Sequence, residues 1–124
     1  MQRFLIVCGA GGLGSGARYL VSLAAGDKPG EGFPWGTLIV NLVGSFLIAV
    51  VLELALKKTM SPGLALGLST GFMGGFTTYS SFNFQTTALA ANGAAGRAVL
   101  NVVVTLAGCL IAGLLGQWLA RRLA

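Results

Sequence analysis

Hydrophobic residues run along the chain in long stretches that charged residues interrupt only at intervals. Residues 4–26 hold one charged side chain, Arg18, and the stretches 32–52, 59–96 and 98–120 hold none. At 1.5 Å rise per residue, a helix crosses a hydrocarbon core of about 30 Å in about 20 residues, so each stretch is long enough to span a membrane. The pattern predicts an all-α integral membrane protein of four transmembrane helices, over about 3–26, 35–57, 62–91 and 95–120, in one domain covering 1–124. The first apolar run continues past any small-residue cleavage point, and three further spans follow, so it reads as a membrane helix rather than a removable signal.

Local chemistry marks the boundaries. Asp27-Lys28-Pro29-Gly30-Glu31-Gly32 gathers charges and helix breakers into the first loop, and Trp35 follows as an interfacial aromatic. Ser61-Pro62 supplies an N-cap and a proline at the first helical position, and Asn92-Gly93 closes that helix. Trp118, Arg121 and Arg122 finish the last helix at the interface. Glu53, four residues before Lys57, is expected to pair with it.

Composition narrows the function. Of 124 residues, 55% are hydrophobic and 9% charged, far from the balance of a soluble domain. With no histidine and two isolated cysteines, Cys8 and Cys109, the chain offers neither a Cys/His zinc site nor His-based acid–base chemistry, which points away from an enzyme. The net charge of +5 comes from scattered basic residues without an aromatic-interleaved patch, so no nucleic-acid partner is expected. Gly9-Ala10-Gly11-Gly12-Leu13-Gly14 matches G-x-G-x-x-G but lacks the βαβ context of a dinucleotide site. These glycines, including the Gly12-x-x-x-Gly16 pair, are expected to let helix backbones approach closely in lipid.

The third span is unusually polar. From Ser69 to Thr87 it carries ten aliphatic hydroxyls and amides in 19 residues, and Gly74-Gly75 precedes the run Thr77-Thr78-Tyr79-Ser80-Ser81. Paired glycines and β-branched threonines weaken a helix, so a break near its middle is expected. Carbonyls freed at bilayer depth need protein, water or a cation as partner. A glycine-rich packing kink with hydroxyls bonding back to the backbone is the plainer alternative.

Two further polar stripes accompany it: Thr37, Asn41 and Ser45 on the second span, and Asn101, Thr105 and Cys109 on the fourth. Each follows i, i+4, i+8 spacing and so forms one helical face. Arg18, eight residues before the first loop, either snorkels to the interface or stands at an aqueous vestibule. No carboxylate lies in the hydrophobic interior apart from Glu53 near a helix end, which argues against a small proton-coupled cation or drug exporter, the main alternative class. Neutral donors and aromatic edges suit a small anion, and Tyr79 and Phe82, three residues apart, share a face from which to present them.

The segments Gly16-Ala17-Arg18-Tyr19, Gly36-Thr37-Leu38-Ile39-Val40-Asn41-Leu42-Val43-Gly44-Ser45-Phe46 and Gly71-Phe72-Met73-Gly74-Gly75-Phe76-Thr77-Thr78-Tyr79-Ser80-Ser81-Phe82 carry a resemblance. Over essentially its whole length the chain resembles the CrcB/Fluc family of fluoride channels. The resemblance implies an antiparallel, dual-topology dimer in the bacterial inner membrane whose two pores passively export cytoplasmic fluoride and so protect against its toxicity. It also implies one structural Na⁺ at the dimer interface, held by the backbone carbonyls of Gly74 and Thr77. Asn41 would donate to the permeating ion, Tyr79 and Phe82 would be the pore aromatics, and Ser81 would add a hydroxyl. Thr105 and Cys109 would lie on a polar track and Arg18 at the vestibule. Three positions depart from the family pattern: Tyr79 replaces the usual Phe, Gln85 the usual acid, and Asn101 the usual aromatic.

Orientation bears on the partner. With four spans, Arg3, Lys57, Lys58, Arg121 and Arg122 lie on one side and Lys28 and Arg97 on the other. Five against two is a positive-inside bias, whereas a chain inserting equally both ways should be near balance. The expected assembly is therefore a homodimer, or a heterodimer in which this chain is a non-conducting or half-pore subunit beside an oppositely oriented paralogue.

Overall fold

The computed structural model describes residues 1–123 and is all-helical, with no strand among them. Helix α1 runs Gln2–Ala25 and ends on Gly26, whose φ of 67° places it in the left-handed region that favours glycine. The loop that follows leads into α2, Trp35–Leu56. The next region is composite: α3 (Pro62–Leu66), a π-helical turn over Gly67–Met73, α4 (Gly74–Phe76), and then α5 (Tyr79–Ala91). The last helix, α6, runs Ala95–Leu123. Three helices, α1, α2 and α6, are long and apolar enough to cross a membrane, making this a multi-pass membrane protein.

The caps follow from the sequence. Ser61 Oγ accepts from the Leu64 N–H with Pro62 at the first helical position. Asn92 ends α5 and Gly93 leaves it at φ 79°. Asn92 also donates to the Gly30 carbonyl at 3.2 Å, tying the first loop to the end of α5.

Two parallel helix pairs build the bundle. Along α2 and α6, Leu42 lies against Gly108, Phe46 against Gly116, and Glu53 bonds Arg121. Contacts therefore advance in the same direction on both helices. Along α1 and the 62–76 region, Ile6 lies against Gly67, Ala10 against Gly71, and Ser15 against Gly75. A side chain on Gly14 would collide with the Phe72 carbonyl, so only glycine permits this approach. The close-packing positions of α1 are thus Gly11 and Gly14, whereas Gly12 and Gly16 are exposed with nothing beside them. Within the single chain the Gly12–Gly16 pair makes no such close approach; the two glycines line an open groove bordered by Phe72.

The apolar cluster at the centre is small, formed by Val40, Met73 and Phe76 with Ala17, Val21, Ile48 and Phe72 against it. Large apolar side chains such as Leu13, Leu20, Leu110 and Leu114 face outward instead. Buried positions include Thr37, Asn41, Thr78, Gln85, Asn101 and Thr105, the distribution expected of a chain whose solvent is lipid.

The expected Glu53–Lys57 pair gives way to a cross-helix one. Arg121 Nε donates to Glu53 Oε1 at 3.0 Å, while Lys57 Nζ donates to the Arg121 carbonyl at 3.3 Å. Because α2 and α6 run parallel, their C-terminal ends meet on one side, and α2 has already ended at Leu56 when Lys57 is reached.

Candidate functional site

Thr77 and Thr78 are extended, at φ −76°, ψ 154° and φ −150°, ψ 112°. The cause lies on α2. Asn41 Oδ1 accepts from the Thr78 N–H at 2.8 Å and its Nδ2 donates to the Thr78 carbonyl at 3.0 Å, so one buried amide replaces both helical bonds of that residue. Gly44, one turn further on, leaves room for Thr77, whose methyl occupies the space a side chain there would need. Thr78 then starts α5 by accepting from the Ser81 N–H through Oγ1 at 3.1 Å.

An extended dipeptide strands the carbonyls before it. Met73 keeps its partner, accepting from the Thr77 N–H at 3.0 Å and from Thr77 Oγ1 at 2.9 Å. Gly75 finds partners on α1: Arg18 Nε at 3.0 Å and Ser15 Oγ at 3.4 Å. Among the described residues no hydrogen-bond donor reaches the carbonyls of Gly74 or Thr77, and Gly74 is exposed.

Beside the extended dipeptide lies a cavity of about 390 Å³. Asn41 and Ser45 line it from α2, Thr77, Thr78, Tyr79 and Phe82 from the interrupted region, and Thr105 and Cys109 from α6. No carboxylate among the described residues lines it. The Tyr79 and Phe82 rings are 5.6 Å apart at 52°, Phe82 buried and Tyr79 74% exposed on the open side. Thr105 Oγ1 donates to Asn101 Oδ1 at 3.3 Å, Asn101 Nδ2 to Thr86 Oγ1 at 2.9 Å, and Thr86 Oγ1 to the Phe82 carbonyl at 2.7 Å. This chain of bonds fixes α6 against α5 behind the cavity.

Seven of the residues singled out in sequence therefore converge: Asn41, Ser45, Thr77, Tyr79, Phe82, Thr105 and Cys109. Ser81 stands apart. Its Oγ accepts from Thr78 Oγ1 at 3.1 Å, and it lines a separate groove with Pro29, Ser80, Phe84 and Gln85. Gln85 is buried there, and its Oε1 has no partner among the described residues. Arg18 turns to Gly75 on the α1 side and does not line the cavity.

A family model described as "CrcB-like protein, Camphor Resistance (CrcB)" matches residues 5–117. The chain belongs to the CrcB family. Its similarity extends over full length to proteins named "Fluoride-specific ion channel FluC". One from Anaeromyxobacter sp. (strain K) is 48% identical, covering 100% of this chain and 99% of the relative. Another from Sorangium cellulosum is 45% identical over 99% and 98%. A third, from Geobacter sulfurreducens, is 44% identical over 99% and 100%.

Two residues of this CrcB chain were not singled out in sequence. Asp27, in the first loop, accepts from the Gly36 and Thr37 N–H groups at 2.9 Å each and so caps α2 from outside the helix. Nothing in local spacing signals a cap nine residues upstream. Thr78 is the residue that Asn41 grips, and its capping relation to Ser81 is visible as a threonine three positions before a donor.

Proposed function

We propose that the chain is a subunit of a fluoride-selective passive channel of the bacterial inner membrane, exporting cytoplasmic fluoride and so protecting against its toxicity. The cavity carries this reading. It offers an amide, hydroxyls, a thiol and aromatic edges but no carboxylate, so it can replace part of an anion's hydration without a fixed charge to trap or repel it. The full-length likeness to proteins named as fluoride channels supports the same choice of ion. A cation exporter would need an acid where none lines the cavity.

In this reading residues 62–91 cross the membrane as one helix broken at Thr77–Thr78, and two subunits pair antiparallel. Tyr79, open on one side in the single chain, then gains its other wall from the partner. Asn41, Phe82, Thr105 and Cys109 line the fluoride path, Ser81 adds a hydroxyl at its edge, and Arg18 lies near the vestibule. The unpaired carbonyls of Gly74 and Thr77 fit a Na⁺ at the dimer interface, since neutral hard oxygens without donors suit a hard monovalent cation. Bound there, Na⁺ would neutralise the freed backbone dipoles. The five-to-two charge bias favours a second assembly, a heterodimer with an oppositely oriented paralogue.

Liposomes loaded with fluoride and watched with a fluoride electrode test the function. Fast voltage-driven fluoride efflux without chloride efflux is expected, and Phe82→Ile should abolish it while leaving the fold intact. Folded protein that passes no fluoride overturns the reading. Terminal tags that all face the cytoplasm, in cells without a paralogue, would exclude the antiparallel homodimer.

A further inference from the structure

Where α2 and α6 begin, the bundle carries a second groove, of about 250 Å³, that the proposed ion path does not use. Phe33, Trp35 and Leu38 line it from one side and Arg97, Leu100 and Val104 from the other. Arg97 is its only charged residue. Leu100 and Val104 follow Arg97 at one and two turns along α6, so the groove runs about 10 Å inward from a charged mouth. Trp35 is largely exposed beside Phe33, their centroids 4.8 Å apart, as aromatics stand at a membrane surface.

The neighbouring charges decide what that mouth accepts. Arg97 is exposed and has no hydrogen-bond or ion-pair partner among the described residues. The chain has only three acids, Asp27, Glu31 and Glu53. Asp27 caps α2, Glu31 lies 3.9 Å from Lys28, and Glu53 is bonded to Arg121. Only Glu31 among these side chains stands largely open, and it sits beside a lysine, so a second copy offers Arg97 little uncompensated negative charge. An amphiphile with an anionic head complements both the free cation and the apolar channel beneath it.

We infer that this groove binds an anionic phospholipid, with the headgroup phosphate against Arg97 and the upper part of one acyl chain along Leu38, Leu100 and Val104. The site is independent of the ion path. Native mass spectrometry of the purified full-length protein, incubated with equal amounts of phosphatidylglycerol and phosphatidylcholine of identical chains, tests it. The wild type should retain phosphatidylglycerol over phosphatidylcholine by about fivefold, the effect of one basic residue at an anionic surface. Arg97→Gln should bring the ratio to parity, and Arg97→Lys should keep the preference. Leu100→Trp fills the groove with the charge intact and should lose both adducts. An unchanged preference in Arg97→Gln, or unchanged lipid retention in Leu100→Trp, overturns the site. A shift of oligomeric mass in Arg97→Gln would assign the mouth to a protein contact and overturn it equally.

Discussion

The α2–α6 pair and the 62–91 region solve the same problem in opposite ways. The two long helices satisfy their backbone internally and approach through small residues, Gly108 under Leu42 and Gly116 under Phe46. Their one ion pair, Glu53–Arg121, sits at the end where water reaches it. The 62–91 region leaves its helical bonds at Thr77–Thr78 and borrows partners from its neighbours: Arg18 for Gly75 and Asn41 for Thr78. Regular helices here act as the frame that makes irregular backbone affordable, and polar groups in the pair and in α1 are placed where the interruption needs them.

That contrast can be broken from the side of the interruption first. Asn41→Leu leaves the Thr78 N–H and carbonyl both unpaired and should cost about 4 kcal/mol in detergent unfolding, with fluoride efflux lost. An unfolding midpoint equal to wild type would mean the clamp is not what holds the extended dipeptide. Gly14→Ala forces α1 off the Phe72 carbonyl and should cost about 3 kcal/mol, and the same change at exposed Gly12 should be close to neutral. Equal gains at the two positions, of the size by which helix propensity alone favours Ala over Gly, would show that the close approach does not set the effect. Arg18→Gln removes a charged donor from Gly75, an expected loss of about 2 kcal/mol. If Arg18 acts through that carbonyl, the accompanying fall in efflux should persist at saturating fluoride. A defect that vanishes at high fluoride would make Arg18 an anion attractor instead. Arg121→Gln, in the regular pair, should cost about 1 kcal/mol, because Arg121 is 62% exposed but leaves behind a Glu53 carboxylate that is only 14% exposed.

Much of the fold is legible in the chain because hydrophobic length is a local property. The runs that predict helices near 3–26, 35–57 and 95–120 correspond to α1, α2 and α6, and Ser61, Asn92 and Gly93 mark termini through their own side chains and φ. The π-helical turn over 67–73 is not legible. Gly74 N–H reaches back to the Ser69 carbonyl, five residues away, and no spacing announces that wider turn. Of the site, the i, i+4, i+8 stripes place Asn41 and Ser45, and Thr105 and Cys109, on shared faces, and those faces meet at the cavity. Ser81 shows what spacing leaves open: its neighbours Tyr79 and Phe82 turn to the cavity, while its own hydroxyl accepts from Thr78 Oγ1 and lines a neighbouring groove.

Sequence by itself determined the solvent of this protein, the lengths of its long helices and the neutrality of its polar interior, since each depends only on which residues are present and how far apart. Tertiary structure decided which polar group answers which. Glu53 chose Arg121 over Lys57 because parallel helices bring distant ends together, and Arg18 found the Gly75 carbonyl because α1 packs against the interruption there. Asn41 holds Thr78 with both atoms of its amide for the same reason. Pairing of this kind joins residues from 37 to 68 positions apart, and only packing can set those distances.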